Sequence, residues 1–569
     1  MYLRTTKRKN KDGSEVTYYQ LAHNERHPQT KKPIAKIIHR FGRADKLDRS
    51  ELTRLCQSIA RVCGLEVHDP LATNESKSSA DQVGFPRELK LIQTVTLGTV
   101  MAIEALWERL GLGKVLRDIA SKKKRSTVVY ERALLAMTAN RLCEPESKFG
   151  VWDRWLTKVY LPSCQGLKLD HMYEAMDFLY DHIDQVEESI FFNTANLFNL
   201  DVDLIFYDTT TASFAIDYED EDNEDDLYNE GLRKRGKSKE GVWTPQVVVA
   251  LAVTRDGLPV RSWVFPGNTA DVTTIEKIKS DLRGWNLGRT LFVADSGMNS
   301  EENRKELSRA CGKYLLATRM ASVSEIKKKV LSKRGRYQVI KDNLHAKEVI
   351  VGDGERRRRY ILCYNPREAK RQLLHREMVV EQLEKKLASH SDKKATAQWA
   401  IELLASKRYK RYLKITTTDS IRIDRAAIRE AQRYDGKWVL ETNDDTITVE
   451  DAAKGYKGLM IIERCFRSLK RTQIRMTPMF HWAPRRIETH VKICVLSLLI
   501  ERVAELACSK PWPKIRRKLE KLQVSEFQTS NHIFFKLNEV EDQVREQLEL
   551  LEIPVPPSVT GVSRLKSQS

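Results

Sequence analysis

Residues 201–214 read DVDLIFYDTTTASF. Residues 204–207 are an unbroken apolar run, closed by Asp208 and three threonines. A strand with one wet face alternates polar and apolar residues. A continuous run ending in a polar cluster is instead the pattern of a strand covered on both faces, as in an α/β sheet. Downstream, TPQVVVALAVTRDGLPVRSWVF (244–265) reads as a hairpin turning at Asp256-Gly257. DVTTIEKIKSDLRGW (271–285) has helical periodicity, and RTLFVADSGMNS (289–300) is a second buried strand. SEENRKELSRACG (300–312) is a helix and KYLLATRM (313–320) a further strand. The predicted order is strand, hairpin, helix, strand, helix, strand.

Residues 321–444 interrupt this order. They mix strands (RYQVI, 336–340; RRRRYILCYN, 356–365; KWVLETN, 437–443) with a long charged helix from Pro366 to about Ser406, and so predict a β-rich insertion. The core resumes over 445–510 with a helix from Val449 to Arg471. RRIETHVKICVLSLLIERVAELA (485–507) follows, apolar almost all round and therefore interior. Before the core, residues 89–200 are mostly helical (TLGTVMAIEALWERLGL, 96–112; STVVYERALLAMTANRLCEP, 126–145), a candidate unit for DNA binding or dimerisation. Residues 1–68 read as a small basic β-meander with a turn at Asp12-Gly13, then a helix capped by Asp48; residues 69–88 read as a polar linker. The tail, 511–569, is charged and then Pro-rich, and is expected to fray. A chain of 569 residues exceeds what one core can serve, so the expectation is an α/β multidomain protein.

The formal net charge is +20, from 98 Lys+Arg against 78 Asp+Glu. A surplus of that size favours a polyanionic partner, most simply nucleic acid. The basic residues are spread along the chain rather than gathered on one amphipathic helix, which argues against a membrane surface. The apolar runs are too short for a membrane span and MYLRTTKRKNKDG lacks a signal-peptide core, so the expected location is the cytoplasm, associated with the nucleoid. The nine cysteines form no C-x-x-C pair, which supports neither a disulfide framework nor a zinc site.

Asp208 (LIFYD) and Asp295 (LFVAD) are each expected to be the last residue of an apolar strand, followed by small polar residues. Ligands of open sheets gather beyond the carboxyl ends of parallel strands. Two carboxylates there suit a hard divalent cation; the alternative for either alone is a helix cap. Ser300 is better placed than Asp295 to cap the helix at 301, with Asn303 rather than Glu at the third position. Glu463 lies in LMIIERCFRSLKRTQIRMTP (459–478). At about 100° per residue, Leu459, Ile462, Phe466 and Leu469 fall on one side of it and Lys457, Arg464, Arg467 and Arg471 on the other. Tyr456, Glu463 and Lys470, a heptad apart, share the seam between the apolar and basic stripes. The bland alternative is a surface ion pair of Glu463 with Lys470 or Arg467. Three such acids in a basic α/β protein suggest two-metal phosphodiester chemistry, with the ions about 4 Å apart.

FYDTTT, VADSGMNS and YKGLMIIERCFRSLK resemble the three catalytic blocks of DDE-type insertion-sequence transposases. They are most similar to the branch with a ribonuclease-H-like core, a β-rich insertion and a Tyr-x2-Arg-x3-Glu-x6-Lys signature. Tyr456, Glu463 and Lys470 match that signature in register, whereas Leu459 stands where the branch has Arg; Arg467 is a candidate substitute. The resemblance implies that Asp208, Asp295 and Glu463 are catalytic and hold two Mg²⁺ (or Mn²⁺) ions, and that Tyr456 and Lys470 contact DNA phosphates. It extends to FPGNTADVTT (265–274) and to the interior helix, and it gives Trp438 the role of stacking on a flipped base; ordinary sheet packing is the alternative. It further implies a ribonuclease-H-like mixed sheet over 201–320 and 445–510, flanked by helices and interrupted by the 321–444 insertion. The activity implied is cleavage of transposon ends and strand transfer by 3′-hydroxyl attack. Its partners would be double-stranded DNA, both terminal repeats and target, and a second copy of the chain in the synapsed complex. A nuclease of this fold without strand transfer, or an inactive DNA-binding descendant, are the competing readings. DYEDEDNEDD (217–226) reads as a solvated loop, GERRRRY (354–360) as a phosphate contact or a plain charged hairpin, and His481 and His490 as hydrogen-bonded packing.

Overall fold

The computed structural model describes residues 2–9, 15–26, 33–44, 47, 59, 89–122, 127–198, 203–221, 231–285, 290–389, 396–416, 420–529 and 531–564. Two compact units divide the chain, Met1–Phe85 and Pro86–Ser569. The first holds the expected meander: β1 (Tyr2–Lys9), β2 (Glu15–Arg26) and β3 (Pro33–Arg43) pair antiparallel in that order. The turn at Asp12-Gly13 and the linker 69–88 lie outside the described residues, as does nearly all of the helix that Asp48 would cap.

The second unit opens with β4 (Lys90–Thr96), then α1 (Gly98–Arg109), α2 (Leu112–Lys122), α3 (Thr127–Cys143), α4 (Leu169–Asp181) and α5 (Ile183–Leu197). Next come β5 (Leu204–Ser213), β6 (Lys234–Lys237), β7 (Trp243–Thr254), β8 (Pro259–Pro266), α6 (Ile275–Leu282), β9 (Leu291–Ala294), α7 (Glu301–Ser308) and β10 (Lys313–Thr318). Ser300 caps α7, accepting from Asn303 N, which leaves Asp295 free of that task. Across the sheet the order is β8-β7-β5-β9-β10, with β6 beside β8 on the far side of β7. β9 runs parallel to both β5 and β10, and β7 antiparallel to β5.

The interruption is not a separate sheet. β11 (Gln338–Lys341), β12 (Leu344–Val351), β13 (Arg358–Tyr364) and β16 (Lys437–Thr442) continue the same sheet beyond β10, giving ten strands among the described residues. Between β13 and β16 the chain makes an excursion, mostly helical, with its own small core. It comprises α8 (Pro366–Ala388), α9 (Thr396–Ala405), the pair β14 (Leu413–Ile415) and β15 (Ile421–Ile423), and α10 (Arg425–Gln432). The single helix expected from Pro366 to Ser406 is therefore two.

The helix expected from Val449 to Arg471 is also divided, into α11 (Val449–Lys457), α12 (Met460–Arg467) and a π-helical turn, Ser468–Thr472. The break falls at Gly458, where the chain comes hard against β5. A β-carbon there would stand 2.5 Å from Phe206 Cζ, on a ring with no exposed surface. Gly458 is near-helical (φ −62, ψ −18), so alanine would ordinarily stabilise the position slightly. Gly458→Ala is instead expected to cost about 1–3 kcal/mol by overpacking, read from urea denaturation. A variant as stable as the parent would show that Phe206 can give way.

α13 (Pro484–Cys508) is the interior helix the sequence predicts, buried along most of its length. Its two sides serve two layers. It packs on β8 and also on α3 and α4, where Thr489 Oγ1 donates to Met176 O at 3.2 Å and Ser497 Oγ to Thr138 O at 3.1 Å. The helical segment 89–200 thus shares one hydrophobic core with the sheet. The tail is ordered rather than frayed: α14 (Trp512–Leu519), β17 (Gln523–Gln528), β18 (His532–Leu537), α15 (Asp542–Leu550) and β19 (Val559–Arg564) follow α13. Trp512, Ile515, Leu519 and Leu548 are fully buried, and β17 pairs with β4 to close a four-stranded sheet. The prolines and charges that suggested fraying lie between these anchors.

Candidate active site

The register of the parallel strands brings the two aspartates together. β5 and β9 pair from Leu204↔Leu291 to Tyr207↔Ala294; the next positions are Asp208 and Asp295, neighbours at the strand spacing of about 4.8 Å. Side-chain alternation sets their direction. Leu204, Phe206, Leu291 and Val293 belong to the core beneath α11 and α12, whereas Ile205, Tyr207, Phe292 and Ala294 belong to the opposite face. Asp208 and Asp295 therefore continue the α12 face.

Asp208 does not end its strand, contrary to expectation. β5 runs on to Ser213, paired rung for rung with β7 from Asp208↔Leu251 to Ser213↔Gln246. What ends at Asp208 is the pairing with β9. The threonines read as a strand terminus are β-branched and sit comfortably in a strand, where all three are buried. Burial raises the Asp208 carboxyl to about 6, with Asp271 and Asp295 adding to the shift and the Thr209 amide and Lys239 opposing it.

α12 lies on β5 and β7 and α11 on β9. Leu459, Ile462, Phe466 and Leu469 are buried as the stripe predicts, while Glu463, Arg464, Arg467 and Arg471 are exposed. Tyr456 ties the helix pair to the strands: its hydroxyl donates to Asp295 Oδ1 at 3.0 Å. Burial pushes that hydroxyl above its usual range, and the charges of Asp295, Glu463 and Asp208 push it further. All three acids thus lie within electrostatic reach of one phenol. Lys470 Nζ and Arg471 Nη2 both bind Glu240 Oε1, at 2.9 and 3.1 Å. Trp438, in β16, is half-buried against the core on that same face, as sheet packing would have it.

Three residues here carried no sequence signal of their own. Asp271 Oδ1 accepts from Thr209 Oγ1 at 2.5 Å, and its Oδ2 accepts from Lys239 Nζ at 2.7 Å. Asp271 lies inside FPGNTADVTT, and Lys239 and Glu240 in a charged hairpin; only the fold makes them neighbours of Asp208 and Lys470. Asp220 is consumed by Arg233, Arg357 by Asp445 and Arg359 by Glu348, and His490 Nε2 bonds Met476 O at 3.0 Å.

Among the described residues, no group of three or more His, Cys, Asp and Glu is close enough to hold one metal ion. The adjacent pair Asp208 and Asp295 nonetheless fits a hard cation that takes one or two carboxylates and completes its shell with water and phosphate. Among the described residues, no helix is long and apolar enough to cross a membrane.

A family model described as the transposase DDE domain matches residues 227–500, a span that includes Asp295 and Glu463 and begins after Asp208. A second, the N-terminal domain of IS1634 family transposases, matches residues 3–70. The two matches together support an insertion-sequence transposase. No curated protein matches the chain. A cryo-EM structure of the piggyBac transposase synaptic complex with hairpin DNA is similar at a TM-score of 0.32 and 8% identity, over 74% of this chain and 79% of that one, a likeness too slight to bear on the site.

Proposed function

We propose that this protein is a DNA transposase that cleaves the ends of its element and joins them to a target through 3′-hydroxyl attack. The observation that carries the reading is the placement of Asp208 and Asp295 one rung beyond the last parallel pair, on the face covered by the helix of Glu463. The order β8-β7-β5-β9-β10, with β7 alone running against the other four strands, supports a ribonuclease-H-like core.

Asp208, Asp295 and Glu463 would hold two Mg²⁺ or Mn²⁺ ions, which when bound would supply activation of water or a 3′-hydroxyl and charge stabilisation of the leaving oxygen. The chain's own groups do the rest. Tyr456 fixes Asp295 through its hydroxyl. Lys470 and Arg471 offer an ammonium and a guanidinium to one phosphate, and Arg464 and Arg467 extend the basic stripe along the DNA backbone. Trp438, on the same face, is the candidate for a flipped base. Two protomers would each supply one site to a pair of ends.

The test is a plasmid carrying the element's ends, incubated with the protein and Mg²⁺, in parallel with Asp208→Asn, Asp295→Asn and Glu463→Gln. Joined products, lost in each variant, are expected. Cleavage without joining would reduce the protein to a nuclease, and DNA binding without metal-dependent cleavage would remove both enzymatic readings.

A further inference from the structure

The turn between β6 and β7 reaches across the carboxyl end of β5 and sets two opposite charges into the proposed substrate site. Glu240 Oε1 is shared between Lys470 Nζ and Arg471 Nη2, at 2.9 and 3.1 Å. One residue earlier, Lys239 Nζ donates to Asp271 Oδ2 at 2.7 Å, beside Thr209 and Asp208. The turn is pinned to β5 itself, the Lys239 amide donating to Thr211 Oγ1 at 3.1 Å. It is closed internally as well, by Ser238 N to Val242 O and Gly241 N to Ser238 O, each 2.8 Å, with Gly241 at φ +90.

A carboxylate shared by an ammonium and a guanidinium takes the position that a phosphodiester oxygen would take on the same two groups. An ammonium lodged against a carboxylate beside Asp208 likewise takes up negative charge that an entering cation would neutralise. Lifting the turn disturbs no core, because residues 239–243 are all exposed, Val242 at 60% and Trp243 at 68%. The β6–β7 ladder below it keeps its own pairing.

We propose that the Lys239-Glu240 turn is a built-in stand-in for substrate. In the free protein Glu240 occupies the phosphate place on Lys470 and Arg471, Lys239 covers the acidic side, and DNA must displace the turn to enter. The identity of the displacing polyanion rests on the transposase reading.

The test measures binding of a short duplex of arbitrary sequence to the full chain, by fluorescence anisotropy at several salt concentrations. Glu240→Gln is expected to bind about three- to tenfold tighter than the parent, the exposed ion pairs it removes being individually modest. In a Lys470→Met, Arg471→Met background the same substitution should bring no gain. An equal gain in both backgrounds would reflect bulk charge alone and overturn the proposal. So would unchanged or weaker binding by Glu240→Gln, which would make Glu240 a positioning residue for Lys470. The two readings separate cleanly. Background-dependent tightening without metal-dependent cleavage keeps the stand-in and removes the transposase. Cleavage by a protein whose Glu240→Gln variant binds no tighter does the reverse. A chain that binds no duplex at any salt concentration removes both.

Discussion

In metal-free buffer at pH 8, Asp208→Asn is expected to unfold at higher denaturant than the parent protein; with Mg²⁺ supplied, it is expected to lose the strand cleavage that the proposed function requires. The two effects share one cause. Burial, with Asp271 and Asp295 adding to it, lifts the Asp208 carboxyl from 3.8 to about 6. The folded chain therefore holds a proton there that the unfolded chain has released between pH 3.8 and 6. Stability falls as pH rises through that window, and the deficit is complete above about 6. Asparagine keeps the shape and the acceptor for the Thr209 amide without the charge. The gain should be about 1–2 kcal/mol above pH 6, allowing for the screening of a partly exposed carboxylate, and should vanish below pH 4. On the transposase reading proposed above, cleavage should fall by about three orders of magnitude or more, because Asp208 would be a metal ligand. A variant less stable than the parent at every pH would mean that Asp208 is a structural acceptor rather than a carboxylate held for function.

The second large effect concerns Leu459, where the resemblance would have placed arginine. Leu459 is 8% exposed and belongs to the main core, at the break between α11 and α12. Restoring arginine there is expected to destabilise the protein by about 3–5 kcal/mol, through the lost leucine packing and a guanidinium without a buried partner. Leu459→Met should cost less than about 1.5 kcal/mol. Urea denaturation with near-ultraviolet circular dichroism gives both values. Near-parent stability in Leu459→Arg, accompanied by tighter DNA binding, would show instead that the position opens toward substrate. The buried leucine anchors the helix that carries Glu463.

Particular residues show what could be read in advance. The apolar runs LIFYD and LFVAD were legible because burial on both faces suppresses alternation, and the helix stripes because a basic face and an apolar face cannot exchange places. The extension of β5 past Asp208 was not, because threonines satisfy both a turn and a strand, and only β7 alongside them decides. The break at Gly458 depends on Phe206, distant in sequence. The order in the tail depends on β4, more than four hundred residues earlier. Lys239, Glu240 and Asp271 have no spacing rule that could join them to Asp208 or Lys470; a hairpin and a loop meet there only after the sheet has formed.

The excursion between β13 and β16 begins and ends at neighbouring rungs: Tyr364 pairs with Lys437, and Asn365 N bonds Gly436 O at 2.7 Å. To the ladder, everything from Asn365 to Gly436 is one long hairpin loop. Closing a loop costs an entropy that grows only logarithmically with its length. This segment can therefore shrink to a tight turn, or be exchanged for another module, with little strain on the strands that aim Asp208 and Asp295. The sheet is the fixed chassis, and this position is a socket at the end of two of its inner strands.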